Sequence, residues 1–111
     1  MQEAKSRQTN ISMPARKLRR VMKEVRGKSA IEAMKILKFM PYFAARVVEK
    51  NLVCAIANAN QKFGASAEDL KVTEVFADES KTLRRGRPRA QGRMYARVKR
   101  TSHLTLTVGK A

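Results

Sequence analysis

The side chains that could do chemistry in this sequence are mostly cations, and they are bunched. Residues 81–100 read KTLRRGRPRAQGRMYARVKR and hold nine Lys/Arg with no Asp or Glu. A second group, Arg16, Lys17, Arg19, Arg20 and Lys23, is interrupted only by Glu24. Guanidinium and ammonium groups at this density suit phosphate oxygens, which accept charge-assisted hydrogen bonds from them. The distribution sharpens the point. Residues 1–30 carry nine Lys/Arg against two acids, residues 31–79 six against seven, and residues 80–111 ten against none. A net charge of +16 split between the two ends repels itself and does nothing for folding. A polyanionic partner is the expected reason, with nucleic acid well ahead of an anionic membrane surface.

Other chemistry is scarce. His103 is the one histidine, and no acid partner or oxyanion site is evident for it. It reads as a structural or RNA-contacting residue. Cys54 is the one cysteine, so a disulfide framework and a cysteine metal cluster are both excluded. Among apolar neighbours it reads as a small core residue. Gly86 and Gly92 fall in an expected hairpin loop, not between a strand and a helix, so they do not form a phosphate-cradling nucleotide motif. Asp78 and Glu79 are too few for a metal site. The expectation is a non-enzyme with no catalytic residue, metal or cofactor.

The elements that must position the cations can be read from periodicity. A short edge strand is expected around residues 5–11. Ser12 supplies a cap candidate and Pro14 a first-turn proline for a first helix. Leu18, Val21, Met22 and Val25 give that helix its apolar stripe, and Gly27 ends it. Its other face carries the cation group, which reads as a phosphate-contacting surface. Ser29 and Glu32 form a capping box for a second helix with Ala30, Ala33, Met34 and Leu37 inward. Pro41 stops it and opens a third, whose stripe is Ala45, Val48, Leu52, Ala55, Ile56 and Ala59. Small residues at Ala55, Ala57 and Ala59 permit close packing. Asn58 and Asn60 read either as end-of-helix polar residues or as groups that reach a partner. Met22, Met34 and Met40 read as core filler.

Gly64 suits the end of the third helix, and two alternating runs follow. The first is LKVTEVFAD (70–78), whose parity slips at residues 74–76 and suggests a bulge. The second is TSHLTLTV (101–108), with Leu104, Leu106 and Val108 on one face. Together they predict a drawn-out hairpin with a covered base and a basic arm. With the tip near Pro88 and Arg89, Leu70 and Val72 would lie opposite residues 105–107. An arm from residue 77 to residue 88 reaches roughly 35 Å. Such a ribbon is marginal alone, and its charges make it worse, so a partner is expected to order it. One domain is expected over residues 1–111. Its scaffold would be about 1–79 and 101–111, its extended hairpin about 80–100. No apolar run approaches the ~18 residues of a membrane span, and no secretory leader is evident.

Five blocks carry a family resemblance: RKLRRVMKEVRGKS (16–29), AIANAN (55–60), LKVTEVFADE (70–79), LRRGRPRAQGR (83–93) and KRTSHLTLTV (99–108). In order and spacing they resemble the universal large-subunit ribosomal protein twenty-two family, over about residues 11–109. The resemblance implies an α+β fold of three helices on a small antiparallel sheet, with a long protruding basic β-hairpin. It also implies a structural, ribosomal-RNA-binding role, the hairpin lining the nascent-peptide exit tunnel and the globular part near the tunnel mouth.

Carried over by position, Arg16, Lys17, Arg19, Arg20 and Lys28 would meet RNA from the first helix region. Lys81, Arg84, Arg85, Arg97, Lys99, Arg100, Thr101, Ser102 and His103 would do so from the hairpin and its base. Arg84, Arg85, Gly86, Arg87, Pro88, Arg89, Ala90, Gln91, Gly92 and Arg93 would form the tip bordering the tunnel, with residues 83–85 near its constriction. The implied partners are large-subunit ribosomal RNA, neighbouring large-subunit proteins and the nascent polypeptide. The protein would be a monomer within the ribosome, without a membrane partner. Many members carry Gly-Pro where this chain has Ser80 and Lys81. The Met40-Pro41-Tyr42 linker resembles cyanobacterial and plastid members, which allows a ribosome in bacterial cytoplasm or plastid stroma. The competing expectation is a DNA-architectural protein that wedges a proline-tipped basic arm into the minor groove.

Overall fold

The computed structural model describes residues 2–88, 92 and 94–110. Strand β1 (Gln2–Ile11) leads to helices α1 (Ala15–Val25), α2 (Ala30–Phe39) and α3 (Phe43–Phe63), then a 3-10 turn at Ala67–Asp69. Strands β2 (Leu70–Glu79), β3 (Leu83–Pro88), β4 (Met94–Lys99) and β5 (Ser102–Lys110) follow. One antiparallel sheet has the order β1-β5-β2, and β3 and β4 form a second sheet of two strands. The expected class, α+β with three helices on a small antiparallel sheet, is what forms.

The register explains the core. Ala4, Val108 and Val72 line up across the three strands, as do Ser6, Leu106 and Val75, then Gln8, Leu104 and Ala77. Cross-strand partners share a face, so these rows make one surface for the helices to cover. Keeping it apolar requires a bulge. Val72 pairs with Val108 and Glu74 with Thr107, which leaves Thr73 as the extra residue. Without it Glu74, not Val75, would turn inward. A matching irregularity in β1 lies between Gln8 and Ile11, where Asn10 has φ +54°.

Each helix buries the stripe its spacing dictates. Leu18, Val21, Met22 and Val25 of α1 are buried, as are Ala30, Ala33 and Leu37 of α2. Gly27 ends α1 with φ +79°, a conformation that costs L-residues with a Cβ, and its N–H donates to the Val72 carbonyl at 3.2 Å. Ser29 caps α2 by accepting the Glu32 N–H at 3.3 Å, one of the two bonds of a capping box. Along α3, Ala45, Val48, Leu52, Ala55 and Ala59 are buried beside Asn51. Asn51 is satisfied internally: its Oδ1 accepts from Ser6 Oγ at 3.1 Å, and its Nδ2 donates to Gln8 Oε1 and the Val47 carbonyl.

Several expectations need correcting. Pro14 is itself the N-cap of α1 and Ser12 makes no capping bond, so that helix starts without side-chain help. Pro41 stops α2 but does not open α3, whose N-cap is Tyr42 with no side-chain cap. Cys54 is exposed and Ala57 too, because the inward stripe of α3 runs through residues 51, 52, 55 and 59 instead. Asn58 and Asn60 are both used at home, donating to the carbonyls of Lys5 at 2.8 Å and Ala65 at 3.4 Å. Gly86 lies within β3 opposite Ala96, not in a loop. Leu70 pairs with Lys110 and Val72 with Val108, farther along β5 than expected. Pro88 pairs with Met94, which moves the turn of the hairpin past Pro88. The ladder of β3 and β4 continues as far as Pro88 and Met94, and this later turn is what carries Leu70 and Val72 farther along β5.

Candidate nucleic-acid interface

On α1, the buried stripe forces the remaining positions outward. Arg16, Lys17, Arg19, Arg20 and Lys23 are accordingly all exposed, and Lys28 is exposed in the turn that follows. They are not equivalent. Arg19 donates to the Ala77 carbonyl at 2.9 Å, and Arg26 to the Val75 carbonyl at 2.7 Å. Both bonds end on β2, an edge strand, so these two guanidinium groups brace the sheet. A guanidinium has five donors, and Arg19 keeps others for a partner. Arg20 stacks over Tyr42, its Cζ 5.2 Å from the ring centroid.

The base of the hairpin is closed by the Ser80 N–H donating to the Thr101 carbonyl at 2.9 Å and Thr101 Oγ1 donating to the Lys81 carbonyl at 2.7 Å. Lys81 and Arg100 are exposed there, and Thr101 is half-buried. A shallow cleft of about 210 Å³ joins this base to the start of α1, lined by Ala15, Glu79, Ser80, Thr82, Arg100 and Thr101. The start of α1 and the hairpin base, distant in sequence, therefore adjoin here. His103 is half-buried, and its Nδ1 accepts the Asn10 N–H at 3.1 Å. That fixes the proton of a neutral ring on Nε2. Ser102 differs from what the resemblance implied. It is fully buried, and its hydroxyl donates to the Met13 carbonyl at 2.7 Å, so it tethers β5 to the start of α1 and offers nothing outward.

Within the hairpin, Leu83 pairs with Lys99, Arg84 with Val98, Arg85 with Arg97 and Arg87 with Tyr95. Arg85 and Arg97, two like charges, are direct cross-strand partners, an arrangement that weakens an isolated ribbon. Gly92 has φ +70°. Of the expected tip, Arg89, Ala90, Gln91 and Arg93 lie outside the described residues.

The electrostatics are one-sided. Among the described residues one ion pair forms, Arg46 to Glu49 at 3.3 Å, within α3. Arg46 also donates to the carbonyls of Leu37, Lys38 and Met40, closing the C-terminus of α2. Among the described residues no His, Cys, Asp and Glu gather in threes to hold a metal ion, and no helix is long and apolar enough to cross a membrane.

What the sequence reading missed is a cluster of aromatics beside α1. Phe39, Tyr42 and Phe43 are 81%, 45% and 69% exposed. Tyr42 and Phe43 line a second cleft of about 250 Å³ with Met13, Lys17, Arg20 and Ala44. The signal was present: three aromatics within residues 39–43, around a proline, in a chain otherwise poor in them.

Residues 6–109 match the family described as "Ribosomal protein L22p/L17e". The chain belongs to this family. A relative carrying the name large ribosomal subunit protein uL22, from Ligilactobacillus salivarius (strain UCC118), is 48% identical over 105 residues, or 95% of this chain and 91% of its own. The protein of that name from Clostridium novyi (strain NT) is 46% identical over 96% of each chain. The one from Synechococcus sp. (strain JA-3-3Ab) is 45% identical over 88% of this chain and 80% of its own. The resemblance read from five blocks is thus borne out, and the family match takes in most of β1 as well. L22p/L17e is a family of ribosomal proteins and not of enzymes. The cyanobacterial relative is no more similar than the clostridial one, so the linker at residues 40–42 does not decide a lineage.

Proposed function

We propose that this chain is a structural constituent of the large ribosomal subunit that binds ribosomal RNA through two basic surfaces. One is the outer face of α1 with the following turn: Arg16, Lys17, Arg19, Arg20 and Lys28. The other is the β3–β4 hairpin and its base: Lys81, Arg84, Arg85, Arg97, Lys99, Arg100, Thr101 and His103. Ser102 acts in this reading by holding the base in place. The hairpin runs into the nascent-peptide exit tunnel, with residues 84–93 at its tip, while the helical part sits near the tunnel mouth and supports subunit assembly. Neighbouring large-subunit proteins and the nascent polypeptide are its further partners, and it works as a monomer within the ribosome of bacterial cytoplasm or plastid stroma. Residues 1–111 act as one domain, a scaffold of about 1–79 and 101–111 bearing the hairpin of about 80–100.

One observation carries the reading. In a chain of a ribosomal protein family, with net charge +16, a single internal ion pair forms among the described residues. An excess of cations of this size, with Arg85 and Arg97 at paired positions of β3 and β4, is compensated by phosphate. The dimensions agree: the radius of gyration of 17.1 Å exceeds the roughly 13 Å of a compact domain this size, and the extents are 62 × 25 × 17 Å.

The test is sedimentation of lysates in high salt. The protein should travel with large subunits, and recovery only in free or DNA-bound fractions would sink the reading. For the tunnel, a photocrosslinker at Arg87 should capture a stalled nascent chain, whereas one at Lys62 should not.

A further inference from the structure

Phe39, Tyr42 and Phe43 are half of the aromatic residues of this chain, and none is buried. Aromatic side chains usually supply the largest share of a core, so exposing three together forgoes stability that the fold could have used. Tyr42 and Phe43 are also placed where the basic surface begins. Both line the cleft of about 250 Å³ whose remaining walls are Met13, Lys17, Arg20 and Ala44. Two of the six lining residues are cations and none is an acid. The cleft is smaller than the ~300–1,000 Å³ of pockets that enclose drug-sized ligands, and is suited to one flat ring.

We propose that this cleft is a stacking platform for a single unpaired base of RNA. Tyr42 or Phe43 takes the face of the base, while Lys17 and Arg20 take the flanking phosphates. The proposal rests on the ribosomal-RNA reading above and adds to it a site and a class of RNA element. Charge decides for RNA over a protein segment: an apolar peptide would leave Lys17 and Arg20 desolvated without partners, whereas a nucleotide satisfies ring and cations at once. The Arg20–Tyr42 stack holds the ring in place before binding, so less freedom is lost on association. Paired A-form RNA hides its base faces, so a bulged or looped-out nucleotide is the element that fits.

The experiment uses the full chain and two RNA hairpins of equal length and charge. One carries a single unpaired 2-aminopurine in its stem, and the other is fully paired. The wild type should bind the bulged hairpin more tightly and quench its fluorescence. Tyr42→Ser combined with Phe43→Ser should lower affinity for the bulged hairpin by about five- to a hundredfold and leave the paired one unchanged. Misfolding is not a competing cause, because Tyr42 is the N-cap of α3 and serine is preferred there. A double variant that keeps the wild-type preference overturns the platform. So does a wild type that binds both hairpins equally, with the usual salt dependence, and in that case the ribosomal-RNA reading survives. Binding to neither hairpin would defeat both. If the double variant loses only a neighbouring protein from isolated large subunits, the patch is a protein contact and the proposal fails.

Discussion

Two hydroxyls on β5 make the same physical point from opposite sides. Ser102 is fully buried and its Oγ donates to the Met13 carbonyl, whereas Thr107 is 1% exposed and its Oγ1 has no partner. A buried hydroxyl without a partner costs folding free energy, and removing only one partner of a buried pair orphans the other. Ser102→Ala should therefore lower stability by about 1–3 kcal/mol. Thr107→Val, which keeps the shape and drops the orphan, should raise it by about 1 kcal/mol. Thermal unfolding of the two variants checks both signs, and RNA affinity should be unchanged in Thr107→Val. These roles were not legible in the sequence. Alternation places Ser102 on a strand, but that the start of α1 approaches it is a tertiary fact. Cys54 shows the same limit from the apolar side. Alanines and valines surround it on α3, so the spacing alone admits more than one inward stripe, and only the helix's rotation against β1 decided for residues 51, 52, 55 and 59.

Among the elements, the three-stranded sheet guards both of its edges with side-chain donors from the helices. Arg19 and Arg26 cover the β2 edge through the carbonyls of Ala77 and Val75. On the β1 edge, Asn58 and Lys62 reach the carbonyls of Lys5 and Glu3, at 2.8 and 3.0 Å. An uncovered strand edge templates pairing with another chain, so this bracing also opposes aggregation. It divides the cations of α1 and its C-cap, Arg26, by role. Arg26→Ala should cost about 1–2 kcal/mol of stability, by losing a charge-assisted bond, and leave the salt dependence of RNA binding alone. Among the described residues Arg16 makes no such bond. Arg16→Ala should leave the melting temperature within error and reduce the slope of log K against log salt by about 0.7–0.9. Paired denaturation curves and salt titrations test the division, and an Arg26→Ala protein that loses RNA slope without losing stability would erase it. Helix existence and the bulge in β2 were readable, since the stripe of α1 and the parity slip near Glu74 are local patterns. The register was not. Leu70 meets Lys110 because β3 and β4 stay paired as far as Pro88 and Met94, which moves the turn along the chain, while the extra residue Thr73 draws the register back by one.

At the scale of the molecule, the question is what the scaffold needs from the hairpin. Strands β3 and β4 form their own sheet, and the three-stranded sheet is complete without them. The junction is closed below them by the bond from the Ser80 N–H to the Thr101 carbonyl. A two-stranded ribbon is marginal in water, and here Arg85 faces Arg97 across it. On the proposed reading, the hairpin is a cost to the free protein that RNA would offset by neutralising its charge. Two consequences can be measured. In the free protein, amides of residues 83–88 and 94–99 should exchange with solvent far faster than those of β5, and should become protected on large subunits. Replacing residues 83–99 by an Asn-Gly turn removes seven cations and relieves their repulsion. The shortened chain should therefore fold, with a melting temperature equal to or above that of the full chain. Its RNA affinity should fall, with a shallower salt slope, because only the surface on α1 and the hairpin base remains. A shortened chain that unfolds would mean that scaffold and hairpin share one cooperative core, and the division of the molecule into a folded anchor and an RNA-ordered arm would have to be abandoned.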